Sequence, residues 1–213
     1  MRILQLEQIL YNIPAIIVAF TLHEYMHAYV SDKLGDPTPR MNGRLTLNPI
    51  VHIDWIGFLM VLLLGFGWAR PVEINPRNYK NQRKGKVLVA LAGPLSNLAI
   101  AFVAFAFIYF SGNILSNNPV LLNYVYPFLW INIMLFAFNI LPVPPLDGFT
   151  LLEIWIHPSK YQTLFTIRRY GFMILIVLSI IGILGAYIGF AYTLITSIFN
   201  FMFSGIESLI GLF

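Results

Sequence analysis

At 213 residues, 58% of them hydrophobic and only 10% charged, the chain is too apolar for a soluble domain and reads as an integral membrane protein. The net charge of +4 is the balance of 13 Lys and Arg against 9 Asp and Glu; the basic residues sit mostly in three loop stretches rather than on one face, so they set topology and leave no nucleic-acid footprint. With no cysteine there is no disulfide framework, no thiol nucleophile and no thiolate ligand, so any metal must be held by His, Asp or Glu.

A transmembrane helix consumes about 20 residues, so this length predicts a few spans and no separate soluble domain. Arg2 precedes an apolar run with no small-residue cleavage site, and that run is expected to be retained as a span. The first helix is predicted from Ile9 to about Val30, interrupted by Pro14 and ending in a polar turn. A loop from Ser31 to Val51 follows, with Lys33, Arg40 and Arg44. Trp55 to Ala69, which contains Gly57, Gly65 and Gly67, is short for a span. Basic residues precede it and also follow it (Arg70, Arg77, Lys80, Arg83, Lys84, Lys86), so both flanks belong on the cytoplasmic side. The segment is therefore read as re-entrant.

Val87 to Phe110 reads as a span, and the uncharged stretch from Ser111 to Pro127 as a non-cytoplasmic loop. Pro127 to about Ile156 returns across the membrane, with Pro142, Pro144 and Pro145 breaking the helix. Lys160, Arg168 and Arg169 mark a second cytoplasmic loop. From Gly171 onward one last span is expected, then a bent continuation or an interfacial helix around Glu207. Gly185 and Gly189 are spaced for helix packing. The fold expected is an all-α multi-span bundle with a re-entrant segment and a proline-broken helix, forming one domain over 1–213. Its core lies in 8–156 and its C-terminal helices in 171–213.

His23, Glu24, Tyr25, Met26 and His27 spell HExxH. Helical positions four apart share a face, so both imidazoles can reach one metal ion while Glu24 addresses a bound water. Zinc lowers the pKa of such a water to about 7, and a glutamate can take its proton and pass it to a leaving amine. Three ionisable groups inside an apolar helix are costly, which disfavours a chance match. A catalytic zinc needs a third protein ligand, for which Asp147, His52 and His157 compete. Asp147 is favoured by its setting, a proline-broken stretch from Asn139 to Gly148 within an apolar segment. Membranes tolerate such irregular backbone where it lines a cavity.

HExxH at His23 to His27, AGPLSN at Ala92 to Asn97 and NxxPxPPLDG at Asn139 to Gly148 together resemble the site-2 protease family of membrane zinc metallopeptidases, peptidase family M50. The likeness is greatest to short prokaryotic members without a PDZ domain; GRLTLNPIVHID and GWARPVEINPRN also resemble that subgroup. The resemblance implies one Zn2+ per chain on His23, His27 and Asp147, with Glu24 as catalytic base and Asn139 holding the substrate strand or the oxyanion. It gives Gly93, Asn97, Pro142, Pro144 and Gly148 supporting roles. It further implies cleavage of transmembrane or membrane-anchored proteins, in a prokaryotic cell membrane, with the active site toward the cytoplasm. The alternatives are a metal-binding transporter and a proteolytically silent scaffold. His52 and Asp54 are read as anchors of the re-entrant loop, and His157 as an interfacial loop residue.

Overall fold

The computed structural model describes residues 6–64, 67–157 and 160–210; Arg2, Gly65 and Pro158 lie outside them. The described residues form helices joined by turns and extended segments, and five helices are long and apolar enough to cross a membrane. Among the described residues, five shorter helices and one 3-10 turn lie between these five. The chain is thus the multi-span helical membrane protein its composition predicts.

Helix α1 (Leu6–Lys33), α5 (Gln82–Phe110) and α7 (Pro119–Ile140) form the centre. Lipid is as apolar as a leucine side chain, so helices in a bilayer associate through close packing, which small residues permit. Ala15 and Ala19 of α1, four apart and fully buried, join Ile16 and Phe20 against Ile131 and Leu135 of α7. On the other side of α7, Leu129 and Ile133 pack with Ala101 and Ala104 of α5 and with Ile195 and Phe199 of α10 (Ile183–Ile210). Pro14, Pro94 and Pro127 all sit inside helices, as transmembrane packing allows.

Between α1 and α5 the chain makes α2 (Thr38–Met41), α3 (Pro49–His52) and α4 (Trp55–Leu64). At about 1.5 Å per residue α4 is about 15 Å long, half of the hydrocarbon thickness. Asp54 starts it by accepting the Gly57 N–H at 2.8 Å. The segment then returns: the Arg70 N–H donates to the His52 carbonyl at 2.8 Å, and the buried Arg44 guanidinium donates to the carbonyls of both Val51 and Arg70. Entry and exit are tied together, as a re-entrant segment requires.

A second tie holds the residues that follow. Asp36, fully buried, accepts from the Ser31 hydroxyl, the Thr38 N–H and hydroxyl, the Asn75 N–H and the Asn78 amide. Burial opposes the charge on Asp36, yet these donors outweigh it, the Asn75 N–H first, and hold its carboxyl at about 2 against an ordinary 3.8. A depressed folded value stabilises the protein above the unfolded value, and that stability is lost as pH falls through the folded one. Thermal unfolding in detergent should therefore show stability falling as pH drops from about 4 to about 2. Asp36→Asn should be less stable at neutral pH and flatter over that window; an unchanged acid limb would refute the assignment.

Three boundaries differ from expectation. The loop proposed for Ser111 to Pro127 is largely helical: α6 covers Gly112–Ser116, and α7 starts at Pro119 because Asn118 accepts the Leu121 N–H and proline suits a first helical position. Arg168 and Arg169 lie in helix α9 (Tyr161–Ile180) rather than in a loop. In place of one final span there are two span-length helices, α9 and α10, parted by Gly182 at φ +81°, a left-handed turn that glycine adopts without strain.

Candidate metal centre

Helix α1 carries His23 and His27 one turn apart, with ring centroids 4.7 Å from each other. Each ring is aimed by a different acceptor on α5. The His27 Nδ1–H donates to the Val89 carbonyl at 2.7 Å, and the His23 Nδ1–H donates to Asn97 Oδ1 at 2.7 Å. With both Nδ1 atoms engaged, both Nε2 atoms present lone pairs to the same point. Gly93 of α5 leaves room for them: a Cβ there would come 2.3 Å from His27 Nε2 and 2.6 Å from His23 Nε2.

The third group arrives from the far side. After Ile140 the prolines end α7, and α8 (Asp147–Glu153) begins at Asp147. Gly148 lets α8 fold back closely, since a Cβ at that position would meet the Ile140 carbonyl oxygen at 2.2 Å. The Pro144 carbonyl is in turn packed against Gly171 of α9. Asp147 Oδ2 is thereby placed 3.2 Å from both Nε2 atoms, buried and accepting no hydrogen bond.

The two Nε2 atoms are 3.0 Å apart. Donors about 2.0 to 2.2 Å from a tetrahedral zinc stand about 3.3 to 3.6 Å from one another, so the observed triangle is close to one face of that tetrahedron. Two imidazole lone pairs and a carboxylate oxygen converging without a proton donor among them make a cation site. The donor set is two nitrogens and one oxygen, which suits zinc and leaves a fourth position open.

A cavity of about 730 Å³ surrounds this triangle. His23, Glu24, His27 and Asp147 line it together with apolar Phe20, Leu135 and Phe138, and Lys86, Glu153 and Arg168 also contribute. Glu24 is buried, and its Oε2 accepts the Val72 N–H at 3.0 Å. Asn139 lines the same cavity and donates one amide N–H to the Leu135 carbonyl at 3.0 Å. An amide carries two such donors and an acceptor, so this bond leaves it further capacity.

The structure thus gathers His23, Glu24, His27, Asn139 and Asp147 around one cavity; Gly93 and Asn97 lie against the two rings, Gly148 against Ile140, and Pro142 and Pro144 in the stretch between α7 and α8. His52 is elsewhere: fully buried, its ring N–H donates to the Thr46 carbonyl at 2.7 Å, and burial pushes its pKa down. His157 is exposed beyond α8 and does not line the cavity. Two features escaped the sequence reading, the contact of Val72 with Glu24 and the buried Asn132 of α7. Asn132 had a signal, because a polar side chain is costly inside an apolar span unless it finds a partner.

Residues 114–181, from within α6 to just past the end of α9 and including Asp147, match the model of peptidase family M50. A Bacillus subtilis (strain 168) protein named "Putative zinc metalloprotease YwhC" is 40% identical over 183 residues, 84% of this chain and 83% of that one. The Rip2 proteins of Mycobacterium tuberculosis (strain H37Rv) and Mycolicibacterium smegmatis, which carry the same zinc metalloprotease designation, are each 27% identical, covering 84% and 77% of this chain and 70% and 64% of their own lengths. No solved structure matches the chain. Shared over most of both chains at that identity, and joined here to span-length helices and a zinc-sized donor triangle, the ancestry is plain: the chain belongs to peptidase family M50, as a membrane zinc metalloprotease.

Proposed function

We propose that this protease cuts peptide bonds within or next to transmembrane segments of other membrane proteins, from the cytoplasmic side of a prokaryotic cell membrane, and that residues 1–213 act as one domain. The observation that carries the reading is depth. His23 and His27 lie inside a span-length helix, about 15 Å and 9 Å along its axis from Lys33, and the cavity around them is bordered by other spans. A bond hydrolysed there belongs to a chain that has entered the membrane. The cytoplasmic assignment rests on Lys33 at the end of α1 nearer the two histidines, on Arg40 bonded to Asp32 beside it, on Arg44 bonded to the Arg70 carbonyl, and on Lys80 just before α5.

In this reading His23, His27 and Asp147 hold the zinc. Zinc bound there supplies Lewis-acid activation of water and of the scissile carbonyl. Glu24 takes the proton from the attacking water and delivers it to the leaving amine as the C–N bond breaks. Asn139 donates from its amide to the substrate strand or to the developing oxyanion. The apolar wall of Phe20, Leu135 and Phe138 receives side chains and keeps bulk water from the reacting bond. A substrate helix hides its own amides, so it must unwind locally before reaching Glu24.

Co-expression with candidate membrane proteins, followed by mass-spectrometric mapping of the products, tests this. The cut is expected within the cytoplasmic half of a transmembrane segment or just beside it. Cuts confined to soluble loops would refute intramembrane cleavage, and cuts at the opposite end of the segment would refute the orientation.

A further inference from the structure

Asn132 is fully buried in the middle of α7, where the surrounding residues from Phe128 to Phe138 are otherwise apolar, and it does not line the cavity. Its contacts form a chain of one direction. The Asn132 amide N–H donates to the Phe128 carbonyl at 2.8 Å, an oxygen that can only accept, so the Asn132 Oδ1 must face the other way. That oxygen receives an N–H from Asn97 at 2.9 Å, and the second Asn97 N–H makes a longer contact of 3.3 Å to the Ala19 carbonyl. Both donors of Asn97 being used, its Oδ1 is left to face His23 Nδ1 at 2.7 Å.

We infer that Asn132 is a positioning residue for zinc: through Asn97 it fixes the His23 ring with Nδ1 protonated and the Nε2 lone pair turned to the metal. This rests on His23 being a zinc ligand. A flipped Asn97 amide would present an N–H to His23 Nδ1 and turn its oxygen against two acceptors, Asn132 Oδ1 and the Ala19 carbonyl. Asn132 supplies the shorter of the two contacts that forbid the flip. The pair of histidines is thus held asymmetrically. His27 donates directly to the Val89 carbonyl and needs no intermediary, whereas His23 is held by two amides in series, whose orientations the Phe128 carbonyl of α7 and, through the longer contact to Asn97, the Ala19 carbonyl of α1 resolve. A group bonded directly to a metal-binding histidine, the place Asn97 holds here, changes affinity by about 10 to 100-fold, and Asn132 acts through it.

The test compares Asn132→Leu and Asn132→Asp with the parent in detergent, reading zinc affinity by competition with a chelator and the histidine ring nitrogens of the zinc-loaded, 15N-histidine-labelled protein by NMR. Asn132→Leu removes the acceptor and should weaken zinc binding by about tenfold or more, within the range for such partners. The His23 Nδ1–H signal should shift or exchange faster while that of His27 stays in place. Asn132→Asp keeps an oxygen facing Asn97 and should restore affinity to within a few-fold of the parent. Parental zinc affinity in Asn132→Leu, or equal disturbance of both rings, would overturn the inference and leave Asn132 a packing residue. Should Asn132→Leu not fold, the parent spectrum and Asn132→Asp decide: a His23 ring carrying its proton on Nε2, or affinity lost in the aspartate variant, overturns it. His23→Ala separates this from the ligand assignment, since zinc retained there refutes the assignment itself.

Discussion

A Glu24→Gln protein is expected to bind zinc in parental stoichiometry and to lose cleavage by about 10² to 10⁴-fold, the contribution typical of a positioned acid–base group. The side chain points into the cavity beside His23 and His27 but is not among the groups converging on their Nε2 atoms. Its Oε2 instead accepts the Val72 N–H, and the amide oxygen of glutamine can accept the same bond. The substitution should therefore preserve the shape of the site and remove only the capacity to take and return a proton. Zinc content of the purified protein, measured beside cleavage of a co-expressed membrane substrate, separates the two roles. Loss of stoichiometric zinc in a folded Glu24→Gln protein would make Glu24 a ligand and overturn its assignment as base.

Removal of Asp147 should have the complementary signature, with zinc and activity lost together. Asp147 Oδ2 is 3.2 Å from each Nε2 and accepts no hydrogen bond, so its burial is compensated only by what the triangle binds. Asp147→Ala leaves two imidazoles, and zinc affinity should fall well beyond the about 10 to 100-fold seen for outer partners. The histidine controls sharpen the test. His157→Ala changes an exposed side chain away from the cavity and should keep its zinc. His52→Ala leaves the Thr46 carbonyl without its donor, at a destabilisation of about 1 to 3 kcal/mol, yet the folded fraction should bind the metal normally. A folded His52→Ala protein that cannot hold zinc would move the third ligand to the end of α3.

What could be read directly from the chain was local. The four-residue spacing of His23 and His27 implies a shared helical face, because a helix repeats every 3.6 residues. Three prolines before Asp147 imply broken backbone, and irregular backbone in an apolar segment implies a cavity. Basic residues on both sides of a stretch too short to span imply that it turns back. These are rules of neighbours and of solvent, and they place the ligands on their elements without saying what surrounds them.

Tertiary structure decided the rest. Whether the chain after Gly171 is one span with a tail or two helices turned on Gly182, which takes a left-handed φ between α9 and α10. Glu24 meets Val72 across 48 residues of chain and His23 meets Asn97 across 74, while Asn97 meets Asn132 across 35. No periodicity encodes such pairs, because a hydrogen bond between elements depends on how close and at what angle the helices pack, and small residues such as Ala15, Ala19 and Gly93 set that distance. The sequence by itself determined which residues could bind a metal and that they lie within a membrane; the packing of α1, α5 and α7 decided that they converge, because convergence is a property of three helices together and of none alone.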